Sequence, residues 1–429
     1  MEKIQKYEVE IRKYIQKNVI NILKDPNSYL KYPFVDPGSV YDGNLWDWDS
    51  FWAVYSMLDM AENSSFDQDK TKEYKELFLK HAKGNIYNFF DNQLDDGYIP
   101  MMVEKSDLQE PYLNIKHKEG HVMNMHKPFL CQQIAIISGF CEDFSWMEEY
   151  FLNIEKYFNC YDTYYFNSNC SLYVFADDIM IGMDNDPASF GRPKFSTANM
   201  FLNGFMVSEL KAATTICEKL GYEQKSKYFK EKSEALVKAI QEECFDKRDK
   251  FFYSADVDIK TRDFDWFHKG LGVFWKTLPI KIRTWTGFIP LWANIATKEQ
   301  AADIVAHIQD EKTFNSSYGI TSLAMDEKMY NITPTNNPSN WLGPIWIVVS
   351  YVVFRGLMNY GYEKEARELC NKTVVMLGQD LEKTGTLHEF YDPSTGEPIM
   401  NGGFLNWNML VINMLDELSG KAPISRFIL

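Results

Sequence analysis

The feature of this sequence that most constrains its fold is an apolar stripe at helical spacing, which recurs along almost the whole chain. Apolar residues three or four positions apart lie on one face of an α-helix, so each stripe predicts a helix packed against a core. The stripes predict helices at residues 3–24, 50–62, 74–89, 128–142, 146–160, 201–217, 222–243, 298–308, 345–360, 366–377 and 405–418. We therefore expect an all-α fold of about a dozen helices with few strands.

The 429 residues contain no linker rich in Pro, Gly or Ser and no low-complexity tract. We therefore expect one domain, residues 1–429, in which long helices joined in pairs form a closed ring of hairpins. The loops between the predicted helices are rich in Trp, Asp, Asn, Gly and Pro. Loops on a rigid scaffold are where binding and catalysis usually take place, so we expect the functional site there.

Charge and composition exclude several classes of protein. The formal net charge is -15 and no block of Lys and Arg occurs, which argues against a nucleic-acid partner because binding to phosphates is mainly cationic. The longest apolar stretch, IWIVVSYVVF from Ile345, ends at Arg355 and is too short to cross a bilayer. No signal peptide is apparent, and seven cysteines without a C-x-x-C pair predict buried free thiols in a cytoplasmic protein.

Tryptophans and carboxylates alternate in one loop. The stretch YDGNLWDWDSFW, residues 41–52, places Trp46, Asp47, Trp48 and Asp49 just before a predicted helix. Asp47 or Asp49 could simply cap that helix. The alternative is a sugar site, because the apolar face of a sugar stacks on an indole while its hydroxyl groups bind a carboxylate in pairs.

Two further tryptophans, Trp341 and Trp346, lie in NNPSNWLGPIW, residues 336–346. Gly343 and Pro344 between them restrict the backbone and so fix the relative orientation of the two indoles. The indoles therefore either pack in the core or form a pair of rigid aromatic walls.

A candidate proton donor lies in GMDNDPASFGRPKFSTANMF, residues 182–201, where Asp184, Asn185 and Asp186 precede a proline. A turn followed by a helix cap at Ser196 or Thr197 would explain the end of this stretch but not its start. Apolar neighbours on the N-terminal side would raise the pKa of a carboxyl group there, as a proton donor requires.

A second candidate carboxylate is Glu389 in HEFYDPSTGEP, residues 388–398, which interrupts the helical pattern. By itself this stretch could be a charged surface turn. Together with Asp184 it supplies the pair of carboxyl groups that hydrolysis of a glycosidic bond needs, one to protonate the leaving oxygen and one as base or nucleophile.

In their order and spacing, the motifs WDWD, GMDN, NWLGPIW and HEFYDPSTGEP followed by GGFLNW resemble the bacterial short members of glycoside hydrolase family 63, relatives of mannosylglycerate and glucosylglycerate hydrolases. The resemblance implies an (α/α)6 barrel with long loops on one face, and hydrolysis of a small α-glycoside with inversion. It makes Asp184 the general acid and Glu389 the general base. This chemistry requires no metal, so we expect no metal or cofactor. The substrate-binding residues that we infer are Trp46, Trp48, Asp49, Lys127, Asn185, Arg192, Trp341, Trp346 and Trp407.

This assignment carries further expectations. Glu389 should stay ionised among polar neighbours, and Asp184 should be protonated in a drier place. Glu397 should hold the shape of its loop through backbone hydrogen bonds. Where relatives often have a glutamine followed by two prolines, this chain has His126-Lys127-Pro128-Phe129. Lys127 could bind an anionic leaving group together with Arg192 and the nearby Lys194, although a solvated lysine and a salt bridge to Asp186 would fit equally. We expect glucose rather than mannose to be cleaved.

Two other functions fit the same fold class. A sugar epimerase or isomerase would need paired histidines, for which His388 and His126, with His121, are the candidates. A saccharide-binding protein without catalysis would need only the aromatic loops. The spaced aspartates at 246–258 lack the Gly and Glu of an EF-hand loop, so we expect no calcium there. In each case the expected partner is a small saccharide, and the sequence does not indicate an oligomeric state.

Overall fold

The structure, a computed structural model, describes residues 2–63, 68–104, 123–259, 275–333 and 339–429. Thirteen α-helices lie within these ranges. They are α1 Glu2–Asn18, α2 Asp47–Glu62, α3 Gln68–Asp91, α4 Leu130–Cys141, α5 Phe151–Tyr164, α6 Asp178–Ile181, α7 Met200–Lys219, α8 Glu223–Glu243, α9 Ile289–Trp292, α10 Lys298–Gln309, α11 Ile347–Asn359, α12 Glu363–Thr384 and α13 Leu410–Leu418.

Short 3-10 helices and strands join these elements. The 3-10 helices are Val19–Ile22, Ser39–Tyr41, Ser145–Met147, Trp285–Phe288, Asn406–Met409 and Ile424–Phe427. The strands are β1 Leu23–Lys24, β2 Phe34–Val35, β3 Leu45–Trp46, β4 Met102–Val103, β5 Phe166–Asn167, β6 Leu172–Tyr173, β7 Thr197–Ala198, β8 Phe245–Asp246, β9 Phe251–Phe252, β10 Ala255–Asp256, β11 Leu278–Pro279, β12 Ile345–Trp346, β13 Phe390–Tyr391 and β14 Pro398–Met400.

Six helices form a closed inner ring, since α2 contacts α4, α4 contacts α7, α7 contacts α9, α9 contacts α11, α11 contacts α13, and α13 contacts α2. The other long helices, α1, α3, α5, α8, α10 and α12, alternate with them along the chain. The predicted (α/α)6 barrel is therefore confirmed, and the four-residue α6 lies outside its twelve helices.

Burial explains which helices lie inside. Helix α2 buries every residue from Asp47 to Ala61, whereas α1 buries only Tyr7, Ile11 and Ile15. An outer helix needs one apolar stripe, while an inner helix has neighbours on all sides. The last outer helix packs closely on the first, since a Cβ atom at Gly378 of α12 would lie 2.1 Å from Cγ of Tyr7.

Short strand pairs connect the loops at one end of the barrel. Strand β3 pairs with β4, and β12 pairs with β13, which in turn pairs with β14. The register of β12 and β13 places Trp346 opposite Phe390, so that the loop of Trp346 lies beside the loop of Glu389.

Most of the predicted helices are present within a few residues of their expected ends, but α6 and α9 were not predicted. The predicted caps are also wrong. Helix α7 begins after Asn199, whose side chain accepts a hydrogen bond from the amide of Phe201. Helix α2 begins after Trp46, which makes no side-chain cap. In the described part of the chain, no helix is long and apolar enough to cross a membrane.

Candidate active site

A cavity of about 450 Å³ opens among the loops that precede the inner helices. This volume lies in the range typical of small-molecule sites. Nine of the eleven site residues predicted from the sequence line it, namely Trp46, Trp48, Asp49, Lys127, Asp184, Trp341, Trp346, Glu389 and Trp407. Each of these loops leads into the N-terminus of an inner helix, so the ring gathers segments that are far apart in sequence.

Asp184 lies in the turn that follows α6. Gly182 ends that helix with a left-handed conformation, φ +79°, which residues other than glycine rarely adopt. Asp186 connects this turn to the start of α7, because its carboxylate accepts a hydrogen bond of 2.9 Å from Nδ2 of Asn199. Asp184 itself is half-buried, and burial raises its pKa to about 6 although the nearby Lys127 lowers it. Among the described residues, none donates a hydrogen bond to its carboxylate.

Glu389 is only 3% exposed and lines the cavity from the loop that follows α12. Nδ2 of Asn401 donates to its Oε2, and the hydroxyl of Tyr41 lies 3.3 Å and 3.4 Å from its two oxygens. Burial, with smaller contributions from the charges of Asp49 and Asp184, nevertheless raises the pKa of Glu389 to about 8. The expectation of opposite environments is therefore wrong, because Glu389 is more deeply buried than Asp184 and burial raises the pKa of both carboxyl groups.

Asp49 is the third carboxylate of the cavity. Its Oδ1 accepts a hydrogen bond of 2.6 Å from Nδ2 of Asn406, and burial raises its pKa to about 7. Asp49 lies in the first turn of α2, where the helix dipole favours a negative charge.

Lys127 is buried against the same wall. Its ammonium lies 2.7 Å from Oδ1 of Asp47, and both side chains are almost completely inaccessible to solvent. The backbone amide of Lys127 donates to the other carboxylate oxygen of Asp47 at 2.7 Å. The ammonium also lies 5.6 Å from the ring centroid of Trp48. Lys127 is therefore neither solvated nor paired with Asp186.

The indoles form the walls of the cavity. The rings of Trp341 and Trp346 are stacked, with their centroids 4.0 Å apart and an angle of 6° between their planes. Trp346 stacks in turn on Phe390. Trp48 packs between Trp341 at 5.8 Å and Trp407 at 5.4 Å. Both alternatives for Trp341 and Trp346 therefore apply, since their indoles pack on each other and also line the cavity.

Asn185 and Arg192 do not line the cavity. Oδ1 of Asn185 accepts a 2.7 Å hydrogen bond from the amide of Trp341, so Asn185 positions that indole. Arg192 forms an ion pair with Asp256, which strand β10 brings beside it. Arg192, predicted to bind substrate, therefore lies outside the described lining of the cavity. Lys194 is half-exposed and lies 3.7 Å from Asp177.

Glu397 is exposed and its carboxylate forms an ion pair with Lys383. Its backbone contributes to the loop, since its carbonyl accepts a hydrogen bond of 2.9 Å from the amide of Asp392. The side chain that shapes this turn is that of Asp392, which accepts hydrogen bonds from the amides of Ser394 and Thr395.

The histidines proposed for an epimerase do not reach the described lining. Nδ1 of His126 lies 2.6 Å from the carbonyl oxygen of Lys127, and burial lowers the pKa of His126 to about 4. Nδ1 of His388 lies 2.9 Å from Asp380. His121 lies outside the described residues, as do positions 336–338 of the NNPSNWLGPIW stretch.

The structure also bears on metals and thiols. Lys281 lies 2.8 Å from Asp246 and 2.9 Å from Asp249, so a lysine occupies the place where a cation would bind in the 246–258 stretch. Among the described residues, no three His, Cys, Asp or Glu side chains are grouped to hold a metal ion. All seven cysteines are free thiols, and all but Cys141 are buried.

Several residues of the site were not predicted. Tyr41 and Ser339 line the cavity, Asn401 donates to Glu389, and Asn406 donates to Asp49. Tyr41 stands at the start of the quoted stretch 41–52, and Asn401 and Asn406 adjoin or lie within the quoted GGFLNW stretch. Their positions beside the motifs were the only signal that could have identified them.

Comparisons with known proteins identify the family to which the chain belongs. The family model described as the mannosylglycerate hydrolase MGH1-like glycoside hydrolase domain matches residues 44–407. A probable mannosyl-oligosaccharide glucosidase of Schizosaccharomyces pombe is 25% identical over 246 residues, which are 55% of this chain and 28% of that protein. Mannosylglycerate hydrolase MGH1 of Selaginella moellendorffii is 31% identical over 124 residues, 29% of this chain and 23% of that protein. The matches thus span less than a third of these curated relatives.

Solved structures show the same fold. The GH63 mannosylglycerate hydrolase from Thermus thermophilus in complex with glucose superimposes with a TM-score of 0.66 at 16% identity, over 95% of this chain and 99% of that one. Neutral trehalase Nth1 from Saccharomyces cerevisiae gives 0.58 at 14% identity, over 92% and 77%. At such identities the likeness concerns the fold alone. The family model matches residues 44–407, which are well over half of this chain. The chain therefore belongs to the mannosylglycerate hydrolase MGH1-like glycoside hydrolase family.

Proposed function

We propose that this protein is an inverting α-glycosidase that hydrolyses a small α-glycoside, with Asp184 as general acid and Glu389 as general base. The observation that carries the proposal is that a half-buried and a buried carboxyl group, Asp184 and Glu389, come from distant loops and line one cavity walled by indoles. Acid and base on either side of a stacked sugar are what hydrolysis with inversion requires. Membership of a glycoside hydrolase family supports the same reaction.

The hydrogen bonds support the assignment of roles. Asn401 and Tyr41 donate to Glu389, and such donors favour the ionised carboxylate that must take a proton from water. Asp184 receives no hydrogen bond from the described residues, as suits a carboxyl group that keeps its proton for the leaving oxygen. The order of the two pKa values, about 6 for Asp184 and about 8 for Glu389, favours the reverse assignment in the free enzyme. We give more weight to the donors because they also act in the transition state.

The charges of the cavity favour a neutral substrate. Asp49, Asp184 and Glu389 are acidic, and the one cation in the described lining, Lys127, is already neutralised by Asp47. An anionic leaving group such as glycerate would find no unpaired cation among these residues. We therefore propose a neutral α-glycoside as the preferred substrate ahead of glucosylglycerate or mannosylglycerate, with Asp49 and Lys127 binding hydroxyl groups of the cleaved sugar and the tryptophans stacking on its face. We propose glucose as the cleaved sugar, as expected from the sequence.

A hydrolysis screen tests the proposal. The wild type, Asp184→Asn and Glu389→Gln would be incubated with trehalose, kojibiose, nigerose, maltose, isomaltose, sucrose, glucosylglycerate and mannosylglycerate, and the product anomer would be followed by NMR. We expect a β-sugar from the wild type and a loss of about 10²–10⁴-fold in each variant. Isomerisation of a free sugar, or binding without turnover, would overturn the proposal.

An activated substrate separates the two roles. A 2,4-dinitrophenyl α-glycoside needs no protonation of its leaving group, so Asp184→Asn should retain most of its activity on it while Glu389→Gln remains inactive. The opposite pattern would exchange the roles. From the seven free thiols we also propose that the protein is cytoplasmic. We further propose that it forms a single domain and that its partner is a small saccharide.

A further inference from the structure

A buried carboxylate closes the loop that precedes α2. We call residues 36–43 the Asp36 loop. Asp36 is 1% exposed, and its Oδ1 accepts a hydrogen bond of 3.1 Å from the amide of Gly38. Its Oδ2 accepts one of 2.6 Å from the amide of Gly43, and Lys24 lies 3.4 Å from the same oxygen. One side chain therefore holds both ends of the loop.

The loop carries Tyr41, whose hydroxyl lies 3.3 Å from the carboxylate of Glu389. It is also tied to the loop that follows Glu389, because Gly38 pairs with Phe404 and the hydroxyl of Ser39 lies 3.0 Å from the carbonyl oxygen of Gly402. The Asp36 loop thus spans the gap between α2 and the residues around Glu389.

We propose that Asp36 is a positioning residue that holds the Tyr41 hydroxyl against Glu389. The proposal rests on the proposed role of Glu389 as general base. Hydrogen bonds from amides to a carboxylate are about twice as strong as neutral ones, so they fix the two ends of the loop firmly. The Tyr41 bond is near the upper limit of length, so a small displacement of the loop breaks it. Asp36 does not line the cavity, so it acts on turnover only indirectly, through the loop that carries Tyr41.

The test compares Asp36→Asn with Asp42→Asn. Both carboxylates pair with Lys24, and Asp36 also binds the amides at both ends of the loop. The substrates are α-D-glucosyl fluoride and α-D-mannosyl fluoride, in which the C–F bond breaks to release fluoride while the oxygen of water bonds to C1 and its proton passes to Glu389. Because fluoride needs no protonation, the rate reports on the base. We expect kcat of Asp36→Asn to fall by about 10–100-fold with KM within about twofold, and Asp42→Asn to match the wild type.

A double-mutant cycle with Tyr41→Phe shows whether the effect passes through the hydroxyl. If it does, kcat of the double variant Asp36→Asn/Tyr41→Phe is little lower than kcat of the less active single variant. Losses that multiply, a wild-type kcat in Asp36→Asn, or a raised KM with unchanged kcat would each overturn the inference. Thermal unfolding checks that the variants fold. If Asp36→Asn does not fold, Asp36→Glu replaces it, with the same expected fall in kcat.

Glu389→Gln separates this inference from the proposed function. If Glu389→Gln is inactive on the fluoride while Asp36→Asn is as fast as the wild type, the inference fails and the proposed base stands. If Glu389→Gln is as fast as the wild type, or the wild type hydrolyses neither fluoride, the proposed function fails and the inference fails with it.

Discussion

Replacing Asn401 by glycine should slow the reaction by making Glu389 a less available base at neutral pH. Nδ2 of Asn401 donates to Oε2 of Glu389, and this bond favours the ionised form of the carboxylate. Asn401 has φ +54°, a conformation that asparagine and glycine tolerate and alanine does not. Glycine therefore removes the donor without straining the backbone.

The size of the effect follows from the pKa values of the pair. Burial raises the pKa of Glu389 to about 8 and that of Asp184 to about 6. With this gap, roughly one in a hundred singly protonated molecules has its proton on Asp184 and its charge on Glu389, which is the productive arrangement. Loss of a hydrogen bond to a charged group costs about 1.5–3 kcal/mol, so the pKa of Glu389 should rise by about one to two more units. The productive form then becomes about 10–100-fold rarer.

The assay is kcat/KM against pH on the best substrate of the screen. The wild type should give a bell-shaped profile with limbs near pH 6 and pH 8. Asn401→Gly should be about 10–100-fold slower at the optimum with its alkaline limb at higher pH. Asn294→Gly is the matched control, because Asn294 is exposed, also has φ +54° and lies at the end of α9 away from the cavity.

Two results would refute the reasoning. If the alkaline limb of Asn401→Gly moves up without a loss of rate, Glu389 is the proton donor, since a raised pKa only helps a donor to keep its proton. If neither limb moves, Asn401 does not stabilise the ionised form of Glu389.

Three other substitutions test the supports of the site and the ring. Lys127→Met should destabilise the protein by about 3–5 kcal/mol in urea unfolding because it leaves Asp47 charged and buried, and a loss below about 1 kcal/mol would contradict the buried ion pair. Asn185→Ala should cost about 1–3 kcal/mol and raise KM more than it lowers kcat, because the amide of Trp341 loses its acceptor, whereas unchanged kinetics would show that Trp341 keeps its place without it. Gly378→Ala should cost about 1–3 kcal/mol through its clash with Tyr7 and leave kcat unchanged, and a variant of wild-type stability would contradict the close packing of α1 on α12.

The fold was largely predictable because the outer helices bury one apolar stripe and leave a polar face, as α1 and α8 do. Helix α9 of the inner ring was missed because it has no polar face. It continues a 3-10 helix as WTGFIPLW, residues 285–292, in which every residue is buried, so no alternation of apolar and polar positions marks it. Helix α6 has only four residues, too few to show a period.

Site residues of rare type could be predicted from the sequence. Residues whose place in the site is decided by tertiary contacts could not. Indoles and carboxylates in loops stand out in a sequence, but Tyr41 and Asn406 do not, because their carboxylate partners lie 348 and 357 positions away along the chain. Arg192 follows Asp184 closely in sequence, yet the pairing of β7 with β10 brings Asp256 to it and takes it away from the cavity.

The burial of Glu389 has a consequence for stability that is independent of the assay chosen for activity. Its pKa is raised from 4.5 to about 8, so the folded protein binds this proton more tightly than the unfolded chain does. The stability that results is fully present below about pH 4.5 and is lost as the pH rises through about 8.

Glutamine at position 389 carries no charge in either state, so Glu389→Gln should gain stability relative to the wild type as the pH rises from 4 to 9, by on the order of a few kcal/mol. The hydrogen bonds that glutamine loses to Asn401 and Tyr41 should contribute an offset that depends little on pH, so the comparison rests on the slope. Urea unfolding of both proteins across this range measures it. A constant difference in unfolding free energy would mean that Glu389 ionises at an ordinary pKa, and the cavity would then lack the apolar surroundings that make its carboxyl groups able to exchange protons near neutral pH.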